Sequence, residues 1–306
     1  MDMKSDRFFG VLIPVLTPFQ RDYEPDLPTF LSFCRSLLEE GANGLAVFGT
    51  TSEANSLSLR ERRTLLGALI EDGLDPKLLL PGTGAAAIPD AVELTRAAVE
   101  AGAGSVLMLP PFYYKNVSED GVFAYYAEVI ERVGDPRLRV YLYHIPHLSG
   151  VPITPTLVAR LVDRYGETIA GLKDSSGNWE NTATLLKQFP TLSIFPGSER
   201  FLLQGLAAGG AGCITATANY DAALIRRVID CQDGAERDRL NRRMVAIRTV
   251  FEQHPTIPAL KYALAKRSGN AAWNTVRPPL RPLADSAGQA LLQALKAAES
   301  DERVRS

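Results

Sequence analysis

The chain has 306 residues, 46% of them hydrophobic and 22% charged, and its net charge is −2. Charge this evenly balanced excludes a basic nucleic-acid-binding surface, and no apolar stretch reaches the roughly 18 residues of a membrane helix. Three cysteines without CxxC spacing and three histidines without metal-ligand spacing argue against a disulfide scaffold and a metal centre. With no apolar signal segment at the start, we expect a cytoplasmic protein.

Short apolar runs alternate with amphipathic stretches along most of the chain. Runs without polar–apolar alternation are typical of parallel strands covered on both faces, so each run predicts a buried strand. Pro14 lies in the first run and lacks an N–H donor, so we expect that strand to be short. The eight runs are GVLIPVL (10–16), GLAVFG (44–49), KLLLPG (77–82), SVLMLP (105–110), RVYLYHI (139–145), IAGLK (169–173), LSIFPG (192–197) and GCITAT (212–217).

Helical patterns lie between these runs and carry clear start signals. Ser58 is a predicted N-cap, and Thr154 followed by Pro155 is typical of a helix start. Eight strand–helix units that use up the chain favour a closed barrel over an open doubly wound sheet. The predicted fold class is α/β, a (β/α)8 TIM barrel over residues 1–225 with a helical C-terminal extension, residues 226–306, packed on it.

Lys173 is the candidate nucleophile. In such barrels the reacting groups lie at the carboxyl ends of the strands, and Lys173 closes the sixth predicted strand. Lysine is among the residues least often buried, so it needs a partner or a chemical task there. An amine beside an apolar wall can attack a ketone to form a Schiff base, whereas an ion pair with Asp174 or with a neighbouring barrel carboxylate would make it structural. Position alone leaves both interpretations open.

Two other strand ends offer groups for the same reaction. Tyr143, on the strand before Lys173, is a candidate proton shuttle, or else an aromatic residue that fills the barrel. Thr50 and Thr51 follow the second strand in a turn suited to hold a carboxylate or phosphate, although threonine is also common in ordinary turns. No GxGxxG or GxxxxGK[ST] motif lies at a strand–helix junction, so nucleotide binding is not indicated.

The motifs, in their order along the chain, resemble the dihydrodipicolinate synthase / N-acetylneuraminate lyase family of class I, Schiff-base aldolases. The resemblance spans nearly the whole chain. It rests on PVLTPF (14–19), GTTSEANSLSLRER (49–62), PPFYYK (110–115), YHIPHLSG (143–150), GLKDSSGN (171–178), GSERFLLQGLAAGGAGCITATAN (197–219), PALKYALA (258–265) and RPPLRPL (277–283).

The resemblance implies a lyase, an aldolase or dehydratase, that acts on pyruvate or 2-keto-3-deoxy acids. It implies that Lys173 forms the Schiff base and that Tyr143 relays protons. Tyr114, the third predicted catalytic residue, is similar to a tyrosine that joins the site from a neighbouring subunit. The family implies a homotetramer built as a dimer of dimers. No metal or organic cofactor, nucleic acid or membrane partner is expected.

The same resemblance assigns the substrate-binding residues. Thr50 and Thr51 are expected to hold the keto-acid carboxylate. Ser52, which replaces the usual glycine after the two threonines, and Thr215, at the end of the last strand, complete the predicted substrate site.

Departures from the family pattern bear on the substrate. Leu148 stands where dihydrodipicolinate synthases carry an arginine, which disfavours condensation of pyruvate with aspartate semialdehyde, the reaction of 4-hydroxy-tetrahydrodipicolinate synthase. The LSG segment is similar to sialic acid lyases, but their acidic pair is not kept, because Glu199 is followed by Arg200. Arg200 either binds an acidic distal group or caps the next helix, and His144 replaces a common asparagine. A non-catalytic keto-acid-binding barrel is a more remote alternative.

Overall fold

A computed structural model of the chain describes residues 7–300. The strands run over Gly10–Ile13 (β1), Gly44–Leu45 (β2), Ser105–Met108 (β3), Arg139–His144 (β4), Ile169–Asp174 (β5), Ser193–Pro196 (β6) and Gly212–Ile214 (β7). The α-helices run over Leu27–Glu39 (α1), Leu59–Glu71 (α2), Ile88–Glu100 (α3), Glu119–Val133 (α4), Pro146–Ser149 (α5), Pro155–Tyr165 (α6), Trp179–Gln188 (α7), Leu202–Ala207 (α8), Ala218–Asp230 (α9), Gly234–Glu252 (α10), Thr256–Ser268 (α11) and Asp285–Ser300 (α12). Among these residues, no helix combines the length and the apolar character needed to cross a membrane.

The strands form one closed parallel barrel with eight positions. β2, β1 and β7 pair in one sheet, and β3 to β6 pair in another. Residues 79–82 fill the position between β2 and β3, with bridges to Leu45 on one side and to Leu107 on the other. On the opposite side, the N–H of Ala211 donates to the carbonyl of Ile194 at 2.9 Å and joins β7 to β6. The predicted (β/α)8 barrel is confirmed.

Prolines shorten two of the predicted strands. β1 ends at Ile13, directly before Pro14, as the missing N–H of proline requires. The run 77–82 forms no regular strand, because its start lies in the 3-10 turn Pro76–Leu78 and Pro81 has no N–H to donate. The prediction of eight regular strands is therefore corrected, for the described residues, to seven strands and one extended segment.

The predicted helix starts are confirmed by their caps. The Ser58 hydroxyl accepts the Glu61 N–H at 3.2 Å, and the Glu61 carboxylate accepts the Ser58 N–H at 2.7 Å. Such a capping box satisfies two backbone donors that the first turn of α2 leaves unpaired. The Thr154 hydroxyl accepts the Leu157 N–H at 3.1 Å at the start of α6.

The strands carry two apolar layers, one against the helices and one inside the barrel. Successive side chains of a strand point to opposite faces, so one set packs outward against the helices and the other forms a separate inner cluster. This interior cluster fills the barrel as a core rather than a pore. It consists of Leu12, Ala46, Leu80, Leu107, Tyr141, Tyr143, Ile145, Ala170, Phe195 and Ile214.

The C-terminal helices are joined to the barrel by packing and by ion pairs. α9 runs through the predicted boundary between residues 225 and 226, so the division into 1–225 and 226–306 stays a proposal, and residues 301–306 lie outside the described part. α10 contacts both α9 and α12. Arg277, after α11, donates to the Glu61 carboxylate of α2 and lowers the pKa of Glu61 to about 2.

Candidate active site

The parallel register brings two of the three predicted catalytic residues together. Tyr143 of β4 is the direct partner of Lys173 of β5, and Lys173 in turn is the partner of Phe195 of β6. The Lys173 Nζ lies 3.3 Å from the Tyr143 hydroxyl and 4.4 Å from the centre of the Tyr143 ring. The lysine is only 4% exposed. The interior cluster therefore ends in a buried amine that faces a phenol.

The ion pair of Lys173 with Asp174 that the sequence left open is not formed. The Asp174 carboxylate accepts hydrogen bonds from the Ser176 N–H, the Asn181 amide and the Thr182 hydroxyl, at 2.9, 2.9 and 2.7 Å. Adjacent residues of a strand point to opposite faces, which separates this carboxylate from the amine. In the described part of the chain, no carboxylate oxygen lies within 4.0 Å of the Lys173 Nζ.

A strained turn after β2 carries the predicted carboxylate-binding threonines. The Thr50 hydroxyl lies 3.3 Å from the Tyr143 hydroxyl, so Thr50, Tyr143 and Lys173 form a continuous chain of polar groups. Phe48 (φ 59°) and Glu53 (φ 57°) adopt left-handed conformations on either side of the threonines. Such conformations cost energy for residues other than glycine and persist where the surrounding structure enforces them.

Neighbouring segments enforce this turn through close contacts. The Ser52 hydroxyl donates to the Val15 carbonyl, and the Thr17 hydroxyl donates to the Ser52 carbonyl at 2.9 Å. A Cβ on Gly82 would lie 2.1 Å from the Phe48 carbonyl oxygen, so only glycine fits beside the turn. Ser52 thus anchors the turn, and its contact with a substrate stays a prediction.

A second polar cluster lies at the ends of β6 and β7. Glu199 is 1% exposed and accepts hydrogen bonds from the hydroxyls of Thr215 and Thr217. Arg248 of α10 approaches Glu199 at 3.3 Å and donates to the Thr215 hydroxyl at 3.1 Å. The Thr215 hydroxyl is therefore held by protein groups, and its predicted contact with a substrate remains a prediction.

Arg200 contacts α10. Its guanidinium forms a salt bridge with Glu252 at 2.6 Å and donates to the Thr249 hydroxyl at 2.8 Å. The backbone N–H of Arg200 donates to the Ser198 hydroxyl. Ser198 therefore caps this turn, a role that the sequence analysis had left open for Arg200. In this conformation the guanidinium joins the β6 loop to the C-terminal helices.

The loops after β3 and β4 expose large side chains at the same end of the barrel. Tyr114 is 73% exposed and Leu148 is 58% exposed. Lys115 joins the two loops by donating to the Ser149 carbonyl at 2.6 Å. Within one chain, Tyr114 therefore faces solvent and is the predicted catalytic residue that does not join Lys173.

His144 is a buried residue to which sequence reasoning assigned no role. Its Nδ1 accepts the Ile153 N–H at 3.0 Å and so holds the segment after α5 beside the site. Burial lowers the pKa of His144 below its usual 6.5; the nearby Asp174 raises the pKa and His147 lowers it further, and the net direction is downward. The sequence marked His144 only as a replacement for the asparagine common in the family. Its role as a hydrogen-bond acceptor became visible only in the folded structure.

The comparison that decides the family covers almost the whole chain. The sequence model of the Dihydrodipicolinate synthetase family matches residues 7–298. The chain belongs to this family. An uncharacterized DapA-like lyase of Chloroflexus aurantiacus is 38% identical to the chain over 285 residues, which cover 92% of this chain and 94% of that protein. Membership confirms the resemblance read from the sequence motifs and the expected lyase class.

Solved structures of the family superpose closely on this chain. Dihydrodipicolinate synthase from Agrobacterium tumefaciens has a TM-score of 0.88 and 33% identity, over 95% of this chain and 99% of that chain. YagE from E. coli K12, a family member solved in complex with pyruvate, has a TM-score of 0.88 and 26% identity over the same shares. The family's barrel with its C-terminal helices is thus the architecture of this chain.

Replacing His144 with asparagine is expected to weaken the pH dependence of stability. Below about pH 6.5 the unfolded chain binds a proton at His144 more readily than the folded chain, so stability from this residue is complete above that pH and lost as pH falls. An asparagine oxygen can accept the same N–H without titrating. Urea unfolding from about pH 7.5 to about pH 5 should therefore show a smaller loss for His144→Asn than for the native protein.

His254, which is not among the groups that shift the pKa of His144, supplies the control for this experiment. His254→Asn should lose stability over the same pH interval as the native protein does. Equal losses for the native protein and His144→Asn would contradict the assigned role.

Proposed function

We propose that this protein is a Schiff-base-forming lyase, an aldolase or dehydratase, that acts on pyruvate or 2-keto-3-deoxy acids through an imine on Lys173. One observation carries the proposal: the buried Lys173 Nζ has no carboxylate partner in the described residues and lies 3.3 Å from the Tyr143 hydroxyl. An amine that is not held in an ion pair is free to attack a ketone carbon.

The chemistry follows from the two side chains. The Lys173 nitrogen bonds to the ketone carbon, and loss of the oxygen as water leaves an iminium. The iminium withdraws electrons from the neighbouring carbon, which can then lose a proton, release an aldehyde or accept one. The Tyr143 hydroxyl, between Lys173 and Thr50, is placed to carry protons to and from these atoms. This sequence requires neither a metal nor an organic cofactor.

The strained turn supplies donors for the carboxylate of a keto acid. In residues 7–300, the backbone N–H groups of Thr50 and Thr51 donate to no protein acceptor. Two such N–H groups beside a hydroxyl are suited to an anion. We assign the keto-acid carboxylate to Thr50 and Thr51, with Ser52 and Thr215 at the margin of the same site. The pyruvate complex of YagE supports a keto acid as the ligand.

Leu148 favours 2-keto-3-deoxy acids over the second candidate function, 4-hydroxy-tetrahydrodipicolinate synthase. Its exposed apolar side chain offers no donor to a second carboxylate, where the synthases carry arginine. The second candidate is favoured by the similarity to the Agrobacterium synthase. Turnover of keto-deoxy acids, compared with condensation of pyruvate and aspartate semialdehyde, distinguishes the two.

We also propose that the protein is a cytoplasmic homotetramer, a dimer of dimers, in which Tyr114 enters the site of a neighbouring subunit. The 73% exposure of Tyr114 in the single chain supports this assignment, because a large aromatic side chain at a catalytic face is typical of an interface.

Borohydride reduction in the presence of pyruvate tests the imine directly. Mass spectrometry should find reduced pyruvate on the peptide that contains Lys173, because the hydride converts the imine to a stable amine. Lys173→Ala and Lys173→Met should fold, lose the adduct and lose turnover. Lys187→Ala, which removes an exposed lysine of α7, is the control and should behave as the native protein. Turnover by either Lys173 variant would exclude this mechanism.

Tyr143→Phe separates imine formation from proton transfer. The variant should still be trapped with pyruvate by borohydride. Exchange of the pyruvate methyl protons with D2O, followed by NMR, should slow by about 10²–10⁴-fold, because the phenol that carries the proton is lost. An unchanged exchange rate would show that another group, or water, moves this proton.

Mixed oligomers test the origin of Tyr114. In the methyl-exchange assay, Lys173→Ala chains should be inactive alone and Tyr114→Phe chains should be weakly active alone. Co-expressed chains should exceed the sum of the two, because one subunit then supplies Lys173 and its neighbour supplies Tyr114. Separately purified proteins measured side by side are the control. Absence of complementation in a verified mixed oligomer would place Tyr114 outside the neighbouring site.

A further inference from the structure

The end of the strained turn is held by a buried ion pair. Glu53 and Lys261 of α11 are each 1% exposed, and the Lys261 Nζ lies 2.5 Å from the Glu53 Oε1. The Lys261 Nζ also donates to the Thr275 carbonyl at 2.8 Å. The second oxygen of Glu53 accepts the Arg277 N–H at 2.8 Å. Both oxygens of the Glu53 carboxylate are thus bound by residues of the C-terminal region, Lys261 and Arg277.

Stability alone does not account for this pair. Two charges removed from water lose their hydration, and well-packed apolar residues of similar volume often serve stability as well or better. The 1% exposure of both side chains shows that the pair is removed from water, and burial lowers the pKa of Lys261 to about 8 against the opposing effect of Glu53. A buried pair that adds little net stability can still fix one local geometry.

The geometry imposed is that of the Thr50–Thr51 turn. Glu53 has φ 57° and ψ 34°, a left-handed conformation that its own side chain does not favour. Its backbone N–H donates to the Thr50 carbonyl at 3.0 Å. The bond from the Glu53 carboxylate to Lys261 of α11 therefore fixes the backbone of Glu53. Through the hydrogen bond to Thr50 it also fixes the peptide groups of the two threonines.

We propose that Glu53 and Lys261 are positioning residues that aim the Thr50 and Thr51 N–H groups at the carboxylate of the keto acid. Helix α11 thereby sets the affinity for the substrate carboxylate, although its lysine touches no substrate atom. This inference rests on the proposed function, since Glu53 and Lys261 would position the same carboxylate-binding turn.

The double variant Glu53→Gln/Lys261→Met removes both charges together. Loss of one partner alone would leave an uncompensated buried charge and destabilise the protein strongly. The double variant keeps similar side-chain volumes and leaves an amide oxygen to accept the Arg277 N–H. We therefore expect it to fold and to keep Lys173 and Tyr143 in place.

Borohydride trapping with two ketones separates a loss of carboxylate binding from a general loss of stability, because a general loss would affect both ketones. Pyruvate carries the carboxylate, whereas acetone offers the same kind of carbonyl without it. The pyruvate concentration for half-maximal trapping should rise by about tenfold or more in the double variant, as expected when a hydrogen bond to a charged group is lost. The corresponding acetone concentration should stay the same.

A variant of the C-terminal helices outside the pair is the control. Leu295 of α12 is buried, and Leu295→Ala weakens the packing of this region without changing Glu53 or Lys261. It should leave both half-maximal concentrations unchanged. If Leu295→Ala shifts the pyruvate value as the double variant does, the effect belongs to the stability of the helices and the proposal is overturned.

The outcomes separate this proposal from the proposed function. If the native protein traps neither ketone on Lys173, the proposed function itself fails. The positioning role is overturned, while the function stands, by either of two results in a native protein that traps pyruvate. In the first, the double variant keeps the native pyruvate dependence, and in the second, its trapping of pyruvate and of acetone weakens equally. Should the double variant not fold, Glu53→Asp carries the same test, because it keeps the charge but shortens the reach to Lys261.

Discussion

The pairing of β4 with β5 is the constraint on which the site depends. In this register Tyr143 lies opposite Lys173, and both side chains point to the same face. A slip of one residue would exchange the two faces of the strand and bring Asp174 into the position of Lys173. The amine would then lie among the helices, and the interior cluster would end in a carboxylate.

In residues 7–300, the buried carboxylates around the barrel mouth bond to partners other than Lys173. Asp174 is satisfied by backbone and side-chain donors at the start of α7. Glu53 bonds to a lysine of α11, and Glu199 bonds to an arginine of α10. Each buried carboxylate has its own partners, which avoids the large cost of an unpaired buried charge. The C-terminal helices supply two of these partners, Lys261 and Arg248.

The turn after β2 shows how distant segments combine to hold one small element. Ser52 bonds to the segment after β1, Gly82 allows the next strand position to approach, and Glu53 is held by α11. Left-handed residues on both sides of the two threonines persist because these contacts act together. The peptide groups that we assign to the keto-acid carboxylate are in this way held in place without a ligand, which would reduce the ordering required on binding.

The sequence by itself determined the barrel, the helix starts and the candidates Lys173, Tyr143, Thr50 and Thr51, because apolar runs, caps and motif order are local signals. It could not decide whether Lys173 was paired, since that depends on which way Asp174 points. Only the tertiary structure decided this, and only it joined Glu53 to Lys261 across more than two hundred residues. Hydrogen bonds and ion pairs between distant segments depend on distances that exist only after the barrel closes and the C-terminal helices pack on it.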